Sequence, residues 1–155
     1  MKFDPKNVKA EDDLGLSFAG LGSNKEATTA YQTAIVWQLQ LPVKNPGPHI
    51  DLGSLLRDEN KTDEAIANLL PAVEISPRDS KAHELLGKAY ARLDELPKAQ
   101  MELEKALELS SQSTNLHYMA APVYRKQGLA EKAKLEFDRC ADMHGTHSSP
   151  ETPRP

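Results

Sequence analysis

The chain has 155 residues, a formal net charge of −4 and an aromatic content of only 5%. The negative charge excludes the overall basic footprint of a nucleic-acid-binding protein, and no apolar run reaches the ~18 residues of a membrane span. The start of the chain lacks an apolar signal region, and a single cysteine, Cys140, excludes an intrachain disulfide. We therefore expect a soluble globular or solenoid protein with no nucleic-acid or membrane partner.

Apolar residues at helical spacing, separated by breaks, predict eight helices. In chain order they cover about residues 8–20, 25–40, 46–58, 63–75, 80–92, 97–110, 114–127 and 131–143. The break inside each successive pair of helices carries a residue that tolerates a left-handed helix end, namely Gly22, Asn60, Asp94 and Gly128. The fold is therefore predicted to be all-α, with its helices in four pairs.

The four pairs are copies of one unit. Leu86-Gly87 recurs 34 residues earlier as Leu52-Gly53, and the alanines and large apolar residues of the second helices recur at the same period. Leu14-Gly15 begins a further copy, 38 residues before Leu52-Gly53. The difference from 34 is four residues, which we place near residues 41–44 as a longer connection or an extra helical turn.

These recurring positions, L-G-x-x-Y/F/L followed by Ala, aromatic or Leu, and Ala, resemble the tetratricopeptide repeat family. The resemblance implies a right-handed α-solenoid of four antiparallel helix pairs over residues 1–144, with repeats at about 8–45, 46–79, 80–113 and 114–144. In the last copy Ala120-Ala121 replaces Leu-Gly. A bacterial multi-repeat protein is expected.

Both ends of the chain carry distinct signals. Phe3-Asp4-Pro5 matches Ile75-Ser76-Pro77 in place, so we interpret the start as the end of an earlier repeat and the chain as a fragment of a longer array. The alternative is a natural start with a coincidental match. Residues 145–155 are rich in Ser, Thr and Pro and are expected to form an extended or disordered tail.

Histidine and cysteine positions raise the question of a metal site. His49, His83 and His117 recur at the repeat period and are interpreted as large residues that fill the space between helices. Cys140, His144 and His147 have a spacing that could bind zinc, but Cys140 matches the small core positions Ala72 and Ala106. We therefore expect no metal and no cofactor. On the second helices, Glu102, Glu104 and Glu108 are interpreted as a solvated face.

The faces of the first helices opposite the core line the concave surface in the family that this sequence resembles. In the last two copies these faces carry five basic residues against one acidic residue, whereas the charges of the first two copies cancel. We therefore predict a partner-binding groove for an acidic, extended segment, with the residues Lys81, Lys88, Arg92, Tyr118, Arg125, Lys126, Arg57, Ile50 and Leu16. The alternative is that Arg57, Arg92, Arg125 and Lys126 only complement the ends of their helices.

The absence of recognisable catalytic motifs in the sequence and the family resemblance together favour a non-enzymatic protein-interaction module or scaffold. An alternative is a purely architectural segment that self-associates through its open ends or its tail. A third possibility, an enzyme, would need a cleft with clustered titratable groups. Some family members clamp a peptide's terminal carboxylate with Lys, Asn and Arg. Because those places hold Asp12, Leu16, Asp51, Lys81 and Leu85 here, no such clamp is predicted.

Overall fold

A computed structural model describes residues 4–145 of the chain. Within that range every regular element is an α-helix. The eight helices are α1 (Pro5–Gly20), α2 (Asn24–Gln38), α3 (Gly47–Asp58), α4 (Thr62–Ile75), α5 (Ser80–Arg92), α6 (Leu96–Leu109), α7 (Thr114–Lys126) and α8 (Ala130–Met143). The prediction of eight helices in four pairs is confirmed. The predicted tail, apart from Gly145, and the Phe3 of the proposed repeat end lie outside the described residues.

Tight turns join the two helices of each pair. The turn residues Gly22, Asn60, Asp94 and Gly128 all have a positive φ, between 59° and 77°. Asn60 and Asp94 adopt this left-handed conformation because short polar side chains tolerate it better than others do. A turn of this length reverses the chain direction, so the two helices of each pair are antiparallel.

The connections between pairs reveal the inserted residues. Residues 39–46 connect α2 to α3, whereas only residues 76–79 and 110–113 make the other two connections, so the first is eight residues long and the others are four. The predicted longer connection is therefore confirmed. The buried Gln38 supports it, since its side-chain oxygen accepts a hydrogen bond from the Asn45 N–H at 2.9 Å.

Glycine allows the helices within a pair to approach closely. An added Cβ at Gly87 would stand 2.6 Å from Cγ of Leu103, and one at Gly53 would stand 2.6 Å from Cγ of Leu69. The absence of a side chain therefore brings α5 against α6, and α3 against α4. Leu69 and Leu103 are also part of a continuous apolar core that extends from α3 to α8.

The first helices of the pairs form the inner side of the solenoid. Contacts link α1 to α3, α3 to α5 and α5 to α7. In the part of the chain that the structure describes, α2, α4, α6 and α8 make no comparable contacts with one another. The first helices are therefore closer together than the second helices. The array curves around them, and their solvent-facing sides form what we call the inner surface.

The interpretation of Glu102 as part of a solvated face is wrong. Glu102 is buried, and its Oε2 lies 2.6 Å from Nδ1 of His83. Nε2 of the same ring donates to the Pro77 carbonyl at 2.9 Å. Thus His83 on α5 links α6 to the connection that precedes α5. Its burial confirms that it fills the space between helices.

The same arrangement recurs in the last pair. His117 is bonded to the buried Glu136 through Nδ1, and its Nε2 donates to the Ser111 carbonyl at 2.9 Å. The second pair differs, because Asn68 takes the place of the glutamate. Its amide donates to the Glu64 carbonyl instead, and Nδ1 of the partly buried His49 has no hydrogen-bond partner among the described residues.

Candidate binding groove

The structure places most of the predicted groove residues on the inner surface. Tyr118 is 64% exposed and Leu16 is 48% exposed, so both offer apolar contact area to a ligand. Ile50, in contrast, is only 9% exposed and packs in the apolar core. It therefore offers little surface to a bound segment, although its backbone lies on the inner helix α3.

A basic pocket lies between α3 and α5. Its volume is about 370 Å³, and its lining residues are Arg57, Asp58, Lys88 and Arg92. Arg57 is paired with the neighbouring Asp58 at 2.6 Å. The Arg92 guanidinium donates to the Arg57 carbonyl at 3.1 Å, in the last turn of α3. Arg92 thus bonds the end of the neighbouring helix α3 and not the end of its own helix, and this bond uses only one of the five N–H donors of a guanidinium.

A carboxylate network occupies the middle of the inner surface. Glu84 is buried on α5, and three donors surround it: Lys88 at 2.7 Å, Asn115 of α7 at 3.2 Å and Lys81 at 3.4 Å. Burial alone would raise the pKa of Glu84, but Lys88 and Lys81 outweigh that effect and hold the pKa below its usual value. Glu84 therefore neutralises part of the predicted basic charge and orients the two lysines.

The remaining cations lie at the far end of the groove, on α7. Lys126 reaches Asp94 at 3.2 Å, but both side chains are largely exposed, and pairs of this kind contribute little. Arg125 is exposed and has no ion-pair partner in the part of the chain that the structure describes. With the exposed Tyr118 on the same helix, α7 combines available positive charge with a flat apolar side chain.

Two carboxyl groups lie near each other where α1 meets α3, those of Asp12 and Asp51, and the sequence did not reveal them as a pair. Asp12 on α1 is only 7% exposed, and its Oδ1 accepts no hydrogen bond from the described residues. Burial, with the negative charges of Asp51 and Asp13, raises the pKa of Asp12 to about 6. Burial also raises the pKa of Asp51. The signal was present in the sequence, since Asp51 stands where the buried Leu85 stands one repeat later.

The cysteine occupies a core position. Cys140 is buried and its Sγ–H donates to the Thr114 carbonyl at 3.5 Å, and burial raises the pKa of its thiol. His147, the third residue of the possible zinc set, lies outside the described residues. Within residues 4–145, no three His, Cys, Asp or Glu side chains are grouped closely enough to bind a metal ion, and no helix there has the length and apolarity needed to cross a membrane.

Comparison with protein families identifies the repeat. Residues 53–94 match a family model described as a TPR repeat, and residues 80–113 match one described as a tetratricopeptide repeat. Residues 53–113 of the chain therefore consist of tetratricopeptide repeats. The two matches share residues 80–94, which include α5, the helix that carries three of the six basic residues of the predicted groove. No curated protein sequence matches the chain.

Solved structures share the helical fold of nearly the whole chain. A crystal structure of MamA is 22% identical, with a TM-score of 0.80 over 92% of this chain and 81% of that one. MamA 41-end from Desulfovibrio magneticus RS-1 is 21% identical, with a TM-score of 0.78 over 96% and 80%. YrrB, described as a TPR protein with an unusual peptide-binding site, is 22% identical, with a TM-score of 0.76 over 93% and 72%. At these identities the likeness establishes a helical solenoid.

Proposed function

We propose that this protein is a non-enzymatic interaction module that binds an extended, acidic segment of a partner protein on its inner surface. The observation that carries the proposal is the basic pocket between α3 and α5, which is lined by Arg57, Lys88 and Arg92 and by one carboxylate, Asp58. Outside that lining, Glu84 pairs with Lys88, so the guanidinium groups supply the available positive charge. Guanidinium groups form paired hydrogen bonds with carboxylates, so this pocket suits a glutamate or aspartate side chain.

The neighbouring helix extends the same chemistry. Arg125 supplies further positive charge, and Tyr118 offers an apolar ring to the stem of a ligand side chain. Because Arg92 and Arg125 are solvent-exposed, attraction to an acidic segment should weaken as salt screens it over ~8–10 Å. YrrB, which has the same fold, is described as having a peptide-binding site, and this agrees with an inner surface that accepts an extended segment.

Fluorescence anisotropy with the full chain tests the proposal. One probe is a short, end-capped peptide in which glutamate alternates with serine, and the other has glutamine in place of every glutamate. We expect the glutamate peptide to bind at least about tenfold more tightly, a difference of ~1.4 kcal/mol. The triple variant Lys88→Glu, Arg92→Glu, Arg125→Glu should lose that preference.

A matched control has the same charge change on the outer helices. Lys25, Lys105 and Lys134 are exposed on α2, α6 and α8, and their replacement by Glu should preserve the preference for the glutamate peptide. Equal affinity for the two peptides in the native protein would contradict the proposal. An equal loss in the control variant would show that overall charge, and not the groove, governs binding.

A second candidate function is architectural. Leu14 on α1 is 42% exposed, whereas its repeat equivalents Leu52 and Leu86 are almost completely buried by the preceding helix pair. The first pair thus presents an exposed apolar side chain, on which a second copy of the chain would pack in this second candidate function. Light scattering over a range of concentrations distinguishes the two functions, because a Leu14→Glu variant would remain monomeric where the native chain associates.

A further inference from the structure

Asp12 and Glu84 occupy the same position of the repeat, because Asp12 precedes Ile50 by 38 residues and Ile50 precedes Glu84 by 34. Both carboxyl groups are buried on an inner helix and face the next inner helix. Glu84 is surrounded by donors from Lys81, Lys88 and Asn115. The protein therefore contains its own example of how a carboxylate at this position is stabilised.

Asp12 lacks each of those three donors. Lys9, the equivalent of Lys81, bonds both oxygens of Asp13 at 2.8 Å instead. Leu16 replaces Lys88 and cannot donate, and Gly47 replaces Asn115 and has no side chain. Thus no side chain of the described residues takes the place of the donors that surround Glu84.

The backbone at the start of α3 does not compensate for this. A Cβ on Gly47 would stand 3.0 Å from Oδ2 of Asp12, so the carboxyl group lies directly over that helix start. The Gly47 N–H, however, donates to Oδ1 of Asn45 at 2.9 Å, and Pro48 has no N–H to give. The helix start supplies only its partial positive charge, and the nearby carboxyl group of Asp51 opposes it.

We propose that a lysine or arginine side chain of the bound segment pairs with Asp12, beside which Asp51 adds further negative charge. It would supply the positive charge that Lys81 and Lys88 supply to Glu84. A buried carboxylate without a partner is costly, and features that cost stability persist where binding or chemistry uses them. The exposed Leu16 beside the site would pack against the aliphatic stem of such a side chain, because Lys and Arg bury their stems while the charge stays with its partner.

This inference rests on the proposed function, since the same bound segment would contact both Asp12 and the basic pocket. Neighbouring helices pack at about 8–10 Å, so the α1–α3 site and the basic pocket between α3 and α5 lie roughly 10 Å apart. An extended chain spans about 3.3 Å per residue, so the ligand is a segment with a basic residue about three residues away from its acidic stretch.

Two peptides test the inference with the full chain. The first carries one arginine, a serine spacer of about three residues and a run of glutamates; the second has the neutral isostere citrulline in place of arginine. We expect the arginine peptide to bind at least about tenfold more tightly. Asp12→Asn removes the charge, and Leu16→Lys supplies a lysine at the place of Lys88. Both variants should lose the preference for arginine.

Asp63→Asn is the matched control, because it changes the net charge equally at an exposed position on the outer helix α4, and it should retain the preference. Equal binding of the two peptides to the native chain would overturn this inference while leaving the acidic-segment proposal intact. A preference for arginine that survives in Asp12→Asn would also overturn it. If neither peptide binds, both proposals are wrong.

Discussion

His83 and Glu102, nineteen residues apart on α5 and α6, form a buried hydrogen bond of 2.6 Å that links the two helices of a pair. Because a carbonyl can only accept, Nε2 carries a proton and donates it to the Pro77 carbonyl. A second proton lies in the hydrogen bond between Nδ1 and the Glu102 carboxyl group. The same pair recurs as His117 and Glu136. These buried hydrogen bonds stabilise the packing of the two helices within a pair.

Removal of the glutamate should destabilise the array. Glu102→Ala leaves Nδ1 of the buried His83 without a partner, and an unpaired buried polar group costs about 1–3 kcal/mol. Urea denaturation should show a reduction of that size in the free energy of unfolding. Glu108→Ala is the control, since Glu108 is exposed on the same helix. An equal effect of the two substitutions would show that the buried pair has no special role.

Completion of the missing pair should stabilise the array. Asn68→Glu places a carboxylate nineteen residues after His49, the spacing seen in the other two pairs, and supplies the partner that Nδ1 of His49 lacks. We expect a gain of about 0.5–1.5 kcal/mol in the free energy of unfolding. The gain should disappear in a His49→Ala background. A gain that persists there would mean that the introduced carboxylate acts through a contact other than His49.

Asp12 should make stability depend on pH in the weakly acidic range. Its pKa is about 6 in the folded chain, against an ordinary value of 3.8. Between these two pH values Asp12 is therefore protonated to a greater extent in the folded state than in the unfolded state. Stability therefore falls as pH rises through this window, and the full cost is present above pH 6. Asp12→Asn should add about 1–3 kcal/mol at pH 7 and almost nothing below pH 4.

Denaturation curves at a series of pH values for the native chain and Asp12→Asn check this prediction, with Asp63→Asn as the control for charge. The difference between Asp12→Asn and the native chain should widen between pH 4 and pH 6. A difference that is constant over that range would mean that ionisation of Asp12 is not what destabilises the folded chain.

Two glycine substitutions should change the stability of the fold in opposite directions. Gly87→Ala places a Cβ 2.6 Å from Cγ of Leu103, and overpacking of this kind costs about 1–3 kcal/mol. Gly20→Ala adds a Cβ at the last residue of α1, where nothing lies within 4 Å, and should stabilise by about 0.4–1 kcal/mol. Thermal melts of the two variants compare them. Stabilisation of both would contradict the close approach of α5 and α6.

The repeat period was the feature of the sequence that predicted most of the fold. The 34-residue recurrence of Leu-Gly predicted the helix pairs, and the 38-residue step before Leu52 predicted the long connection. Both succeeded because each repeat of a solenoid packs only against its neighbours, so the same residues recur at the same places in every repeat. The same reasoning missed Glu102, since a charge on an amphipathic helix is normally solvated and only the recurrence of His and Glu nineteen residues apart reveals the pair.

Groove chemistry was predictable only as a list of charges. The sequence placed Lys81, Lys88 and Arg92 on one face, but their pairing depends on side-chain positions that spacing alone does not give. Glu84 forms ion pairs with Lys81 and Lys88. Arg92 donates to the Arg57 carbonyl, 35 residues earlier in the chain. The isolation of Asp12 was equally hidden, because Lys9 on the same helix pairs with Asp13 instead and Gly47 on α3 has no side chain to donate.

The most direct test of the account is amide chemical-shift mapping of the full, isotope-labelled chain with the glutamate–serine peptide. The account predicts shifts along the inner surface, at Arg57, Lys88, Arg92, Tyr118 and Arg125, that shrink as salt is added. Outer residues such as Lys25 and Lys134 should stay unchanged. Saturable shifts confined to the outer helices, or none on α5 and α7, would contradict the claim that the basic half of the inner surface is where this protein binds its partner.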